Sequence, residues 1–295
     1  MDLKAVIAGV GFALMWSSAF TSARLVVLDA PPLAALSVRF MISGLIAVLI
    51  AAALGQSARL TRAHWIAVIL FGICQNALYL GLTFVALQTI EASVAVIIAS
   101  LLPLVVAFAS RLFFGERLSW FGFAGLVIGF AGAVMIMSGR IASGGVDMTG
   151  IALMVTALVS LTAATLLLRD ALPRGDVLMI VGLQMLVGSL ALLPFALALE
   201  TWDVNWSWRL AAAFTYTIIV PGIAATVTWF WLVRRIGPTR AATYHFLNPF
   251  LGVAVAALVL NETVSLRDLA GVAIVAGGIL AVQLSRRPKS VLPRQ

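Results

Sequence analysis

The chain has 295 residues, a net charge of +8, 63% hydrophobic residues, only 10% charged residues and a mean hydropathy of +1.12. No soluble core hides that much apolar surface, whereas a lipid bilayer does. One cysteine (Cys74) and two histidines (His64 and His245) exclude an internal disulfide and a multi-histidine metal site, and no cofactor is implied.

Ten apolar segments are predicted as membrane-spanning helices, over residues 5–25, 33–54, 65–87, 92–113, 118–138, 149–170, 175–199, 209–233, 239–260 and 267–284. Each is roughly 20 residues long, enough to cross ~30 Å of hydrocarbon. The first run ends in Thr21-Ser22-Ala23 and has the outline of a cleaved signal peptide. Its leading region is weak, because Asp2 offsets Lys4, and it has a repeat partner at 149–170; it reads as a retained helix. The longest loops, 55–64, 139–148 and 200–208, are too small to be domains. Trp202, Trp206 and Trp208 in the last of them read as membrane-interface anchors.

The second half of the chain repeats the first. A shift of 146 positions places Pro103 on Pro249, Phe84 on Phe230, Glu116 on Glu262, Ser119 on Ser265, Gly125 on Gly271 and Gly132 on Gly278. At a shift of 145, Arg24 meets Arg169. The expected division is a five-helix repeat at 1–138, a linker at 139–148, a second five-helix repeat at 149–285 and a basic tail at 286–295. Five spans per half is an odd number, so the second half enters the membrane from the opposite side. Two inverted repeats around a midplane cavity are typical of transporters. The expected fold is therefore an all-α integral membrane protein of ten helices. With the N-terminus in the cytoplasm, inner loops and termini carry 14 Lys/Arg and outer ones 4, which places both termini in the cytoplasm. The positive charge is thus topology, with attraction to the lipid bilayer. A nucleic-acid partner would need a basic soluble face, which this chain lacks.

Several motifs carry a resemblance. Ala13-Leu14-Met15-Trp16-Ser17-Ser18-Ala19-Phe20 lies in the first segment and Arg39-Phe40 in the second. Pro103 and Pro249 are followed by the linkers Gly115-Glu116-Arg117-Leu118-Ser119 and Asn261-Glu262-Thr263-Val264-Ser265, then by glycine-rich segments. Over nearly its whole length the chain resembles the EamA type of the drug/metabolite transporter superfamily. Within it, the chain is most similar to bacterial inner-membrane exporters of aromatic amino acids and related amphipathic metabolites. The resemblance implies alternating access and no enzymatic activity.

Polar residues at mid-span should face the bundle interior. Asn76, Tyr79 and Thr83 share one face of the third segment, with Gln75 beside them. Tyr244, His245 and Asn248 precede Pro249 in the ninth. Trp16 and Phe20 form a stripe in the first segment, with Ser17 adjacent; Gln184 lies in the seventh, and Trp229 in the eighth with Tyr216 and Thr226. Together these residues form the expected substrate site. Its lining has amides, hydroxyls, aromatic walls and hardly any formal charge, which suits a ligand with an apolar body and a small polar head. Arg39 is expected to extend outward to the interface. Ser160, Thr162 and Thr165 also read as helix–helix glue, worth roughly 0.6–2 kcal/mol per bond. Pro103, Pro221 and Pro249 are the expected gates. Glu116 and Glu262 read as helix-terminus caps or anchors with Arg117 and Arg267. The glycines at 125, 129, 271, 277 and 278 read as close-packing faces and the place for a dimer, although a pseudo-twofold axis within one chain points to a functional monomer.

No Asp or Glu lies at mid-span, so either His245 couples protons or transport runs down the substrate's own gradient; the second is preferred. A sugar or nucleotide-sugar carrier is the alternative, weakened because no Lys/Arg pair stands at mid-span to hold phosphate. A membrane enzyme using Ser17 or Ser100 with His245 has no recognisable catalytic motif and no buried carboxylate to orient the histidine.

Overall fold

The computed structural model describes residues 2–115, 119–142, 147–168, 176–236, 241 and 244–285. Glu116, Arg117, Arg169 and the tail 286–295 lie outside the described residues, as does the side chain of Phe230. Among the described residues the regular structure is entirely helical, and nine helices are long and apolar enough to cross a membrane. A tenth apolar helix, Tyr244–Leu260, is shorter.

We number the spans α1 (Leu3–Asp29), α2 (Pro32–Ala53), α3 (Arg62–Ala86), α4 (Ala92–Phe114) and α5 (Trp120–Ala142). The second half supplies α6 (Met148–Leu168), α7 (Val177–Leu199), α8 (Trp208–Thr217 continued by Ile218–Ala224 and Ala225–Ile236), α9 (Tyr244–Leu260) and α10 (Leu266–Ser285). Local chemistry sets many ends. Asp2, Thr61 and Ser207 accept backbone N–H bonds at the starts of α1, α3 and α8, and Pro32 opens α2 where its missing N–H costs nothing. Gly115 (φ 64°) and Asn261 (φ 55°) end α4 and α9 in the left-handed conformation. These two caps are 146 positions apart, as the repeat requires.

Three pairs of equivalent helices, α2–α7, α4–α9 and α5–α10, pack against each other across the two halves. In the α2–α7 pair, Ser37 Oγ donates to the Ser189 carbonyl (3.0 Å) and Ser189 Oγ donates to the Ser37 carbonyl (2.8 Å). Further along, Gly44 lies against the Gly182 carbonyl and Gly182 against that of Gly44. Advancing on one helix means retreating on the other, so the pair is antiparallel. The α5–α10 pair behaves alike: Gly125 faces Gly278 and Gly132 faces Gly271, each close to the partner's backbone oxygen. A Cβ on Gly278 would stand 2.6 Å from the Gly125 oxygen, so these glycines are needed for the approach. Antiparallel equivalents are what inverted repeats produce. Of the glycines expected to serve packing or a dimer, Gly125, Gly129, Gly271 and Gly278 pack inside the chain, whereas a Cβ at Gly277 would meet nothing within 4 Å.

Large apolar side chains point outward around the bundle, among them Ile7, Leu49, Phe113, Val134, Leu197 and Leu258. Such an apolar exterior suits lipid, not water. The chain is a multi-pass membrane protein.

Two irregularities recur at equivalent places. Residues Gly72–Tyr79 of α3 and Ile218–Ala224 of α8 are π-helical, beginning 146 positions apart. Helix α4 breaks at Leu101, just before Pro103, and α9 passes from a 3₁₀ turn (Tyr244–Leu247) to α-helix at Asn248, just before Pro249. Both prolines sit in the first turn of a new helical piece, where a missing N–H is tolerated, so they mark breaks and not mid-helix kinks. Pro221 differs, since it lies inside the π segment of α8.

Candidate functional site

Eight of the ten helices surround a cavity of about 370 Å³; α5 and α10 take no part. The π segments explain part of its position. A π turn widens the helix and redirects side chains, and such turns occur often at functional sites. Here they aim Gln75, Asn76 and Tyr79 from α3, and Pro221 and Gly222 from α8, into one space.

One end of the cavity is aromatic. The Phe12 ring lies 5.8 Å from Trp16, 5.0 Å from Trp229 and 5.3 Å from His245, the last edge-on. Trp229 and His245 are 5.2 Å apart. Asn248 Nδ2 donates to His245 Nδ1 at 3.0 Å, which places the ring proton on Nε2. Ser17 Oγ in turn donates to Asn248 Oδ1 and to its backbone carbonyl (3.4 and 3.3 Å). The α1–α9 junction therefore holds the imidazole in one orientation.

Elsewhere in the cavity stands a cation. Arg39 is 7% exposed and lines the cavity, contrary to the expected outward extension. The reason is a carbonyl at the start of the π segment. Pro221 has no N–H for the Thr217 carbonyl, the π turn gives that carbonyl to Gly222 five residues on, and Arg39 Nε donates to the same oxygen at 3.2 Å. The guanidinium lies 5.2 Å from the Phe40 ring centre and 6.0 Å from that of Phe84. No carboxylate lines the cavity, and Arg39 makes no ion pair among the described residues. Arg39 is thus the one formal charge of the lining among the described residues.

Of the twelve expected binding residues, eight line the cavity: Trp16, Phe20, Gln75, Asn76, Tyr79, Thr83, Trp229 and His245. Pro221 lines it too. Asn76 commits Nδ2 to the Gln184 carbonyl at 2.8 Å, while its own Oδ1 has no hydrogen bond among the described residues. Thr83 donates to the Tyr79 carbonyl of its own helix. Four expected residues do not reach the cavity. Ser17 and Asn248 are spent on the α1–α9 junction. Gln184 offers its backbone to Asn76, and Tyr244 lays its ring against Gly9 of α1. Pro103 and Pro249 lie outside the lining as well. Ser160 donates to the Cys74 carbonyl (3.3 Å), whereas Thr162 and Thr165 donate within their own helix. Tyr216 pairs with Ser18 at 2.7 Å.

Phe12, Arg39, Phe40, Phe84, Leu102, Leu161 and Met185 also line the cavity, and sequence reasoning missed them as lining residues. Two signals were available. Phe12 continues the Trp16–Phe20 stripe at the same four-residue step, and Met185 is the 146-shifted equivalent of Arg39.

The surface carboxylates have structural work. Glu262 accepts from the N–H groups of Ala92 (2.7 Å) and Ser93 (2.9 Å) at the start of α4. It caps a helix of the other repeat, and Arg267 bonds Ser138 (2.9 Å). Glu200 likewise caps α2 through Leu33 and Ala34, both at 2.8 Å.

The sequence matches the model of the EamA-like transporter family twice, over residues 3–138 and 148–284. It is 24% identical to Uncharacterized transporter YvbV of Bacillus subtilis (strain 168), covering 91% of this chain and 88% of that protein. It is 27% identical to an Uncharacterized transporter of Archaeoglobus fulgidus (92% and 95% covered) and 26% identical to Uncharacterized inner membrane transporter YedA of Escherichia coli (strain K12) (92% and 88%). A solved crystal structure shares the fold at a TM-score of 0.69 and 21% identity, covering 96% of this chain and 99% of the other.

Proposed function

The chain belongs to the EamA-like transporter family, and from that premise we propose that it exports amphipathic metabolites, aromatic and other hydrophobic amino acids among them. Transport is the activity of the family; the substrate class is read from the cavity. The observation that carries it is a cavity of about 370 Å³ with an aromatic end and a buried guanidinium. That volume is near the lower end of the roughly 300–1,000 Å³ range of small-molecule sites. The rings of Phe12, Trp16 and Trp229 suit an apolar body. Arg39 suits a carboxylate, with the amides of Gln75 and Asn76 to complete its bonding.

The cycle is alternating access in a bacterial inner membrane, with both termini in the cytoplasm and one chain as the working unit. The repeats 1–138 and 149–285 exchange shapes through the breaks at Pro103 and Pro249 and the π segment at Pro221. His245 is held by Asn248 as part of the wall, which favours export down the substrate's gradient over proton coupling. A nucleotide-sugar carrier is disfavoured by the small volume and by the presence of one cation where a diphosphate calls for more.

Uptake of radiolabelled tryptophan, phenylalanine, threonine and a nucleotide sugar into proteoliposomes tests this reading. Saturable uptake of the aromatic amino acids, weakened by Trp16→Ala and Trp229→Ala, is expected. Uptake of the nucleotide sugar alone would overturn the substrate class.

A further inference from the structure

Within the amphipathic class just argued, and resting on that reading, we propose that the preferred substrates are monocarboxylates without a charged amine, with Arg39 as the specificity-determining residue. The inference begins from an imbalance. Arg39 is a buried cation with no carboxylate partner among the described residues. Its side chain is fixed through Nε to the Thr217 carbonyl, which leaves the terminal nitrogens of its fork available for a ligand. A desolvated charge without a counterion is costly, and a bound anion offsets that cost.

The rest of the lining adds to the imbalance. The indole N–H groups of Trp16 and Trp229 and the Nε2–H of His245 are donors, as the guanidinium is. The guanidinium suits a carboxylate, but among the described residues no carboxylate that could hold an ammonium lines the cavity. An α-ammonium would sit within a few bonds of the carboxylate on Arg39, so it would bring a second cation close to the first. Beside the low-dielectric interior of the bundle that repulsion is screened less than in bulk water. Amide oxygens and ring faces offer the ammonium some compensation but no charge neutralisation. The symmetry-equivalent position on α7 is Met185, so the second repeat supplies no balancing acid. A consequence follows for energetics: an inside-negative potential drives an amine-free carboxylate outward, whereas a zwitterion carries no net charge for it to act on.

The test uses three ligands that share one ring: 3-phenylpropionate, phenylalanine and 2-phenylethylamine. Binding to the purified full-length protein is measured at pH 7 by calorimetry, for wild type, Arg39→Gln and Arg39→Lys. The expected wild-type order is acid over zwitterion by about tenfold or more, with the amine weakest. Arg39→Gln weakens the acid by about 30-fold or more and removes the preference. Arg39→Lys keeps the order, since the charge remains although the planar fork is lost. If Arg39→Gln does not fold, the wild-type order decides alone. In proteoliposomes, entry of the acid should respond to a potassium diffusion potential and entry of the zwitterion should not. Phenylalanine binding as tightly as phenylpropionate, or an unchanged order in folded Arg39→Gln, overturns this inference and leaves amino-acid export standing. The amine binding most tightly also overturns it. Failure of all three to bind overturns the amphipath reading and this inference together.

Discussion

The two repeats place equivalent positions on the cavity and give them unlike chemistry. Under the 146-residue shift Gln75 pairs with Pro221, Asn76 with Gly222, Leu80 with Thr226 and Thr83 with Trp229, and all eight line the same space. Arg39 and Met185 make a fifth pair. The shared features are mechanical: the π segments, the breaks before Pro103 and Pro249, the left-handed caps at Gly115 and Asn261. The differing features are chemical: the cation and most amides come from the first repeat, while the proline and a tryptophan come from the second. A duplicated backbone permits the exchange of shapes that alternating access requires, and its departures from symmetry bind the substrate.

The largest test of this division moves the charge across the axis. Arg39→Met should weaken carboxylate binding by about 30-fold or more. Adding Met185→Arg to that variant should not restore it. The position that mirrors Phe40 is Leu186, so the ring that lies against the Arg39 guanidinium has no counterpart there. Recovery of binding in the double variant would show that the site is symmetric in its chemistry too.

Next in size is the pair Trp229 and Thr83. Trp229→Ala removes an aromatic wall and should weaken ligand binding by about tenfold to 100-fold. Thr83→Ala should change it by no more than about twofold, because that hydroxyl is already bonded within its own helix. Equal effects, read by calorimetry, would contradict the division of labour. Pro221→Ala is subtler. It lets the π turn revert to α-helix, which moves the Thr217 carbonyl that holds Arg39 without removing the charge. Affinity should fall by about threefold to tenfold, with little change in thermal stability.

The span count and the repeat were legible in the sequence because apolar runs near 20 residues and a constant offset are one-dimensional signals. The cavity was legible in part. Trp16, Tyr79 and Asn76 announce themselves as polar or aromatic residues at mid-depth, where lipid is a poor environment. Arg39 was named but misplaced, because the carbonyl that holds it belongs to a residue 178 positions away. Tyr244 and Asn248 were assigned to the cavity because helical spacing from the α-helix was applied to a stretch that is in part 3₁₀. The π segments were not foreseen either. Gln75, Asn76 and Pro221 within them were read as lining and gate residues, and neither an amide nor a proline by itself specifies a π turn.

The smallest effect expected is at the surface, where the repeats again answer each other. Asp2 and Asp147, 145 positions apart, each accept from a backbone N–H in the first turn of their helix, at Ala5 and Gly150. Each also reaches the end of the third helix of the other repeat. Asp2 accepts from Arg235 Nε at 2.5 Å, and Asp147 from the Thr89 hydroxyl at 2.8 Å. The Arg235 bond holds the Asp2 carboxyl below its ordinary range, and the Thr89 bond with the Gly150 N–H does so for Asp147. A lowered folded pKa gives stability that is present above the unfolded value near ~4 and is lost as pH falls through the folded value. The melting temperature in detergent should therefore be flat from neutral pH downward and decline only below about pH 4. Asp2→Asn and Asp147→Asn together should flatten that decline. Salt separates the two: raising it at pH 7 should erase the effect of Asp2→Asn, which breaks an exposed ion pair, and leave that of Asp147→Asn, which breaks hydrogen bonds to neutral groups. Equal salt sensitivity would mean that the Arg235–Thr89 difference between the repeats has no energetic consequence at this end of the bundle.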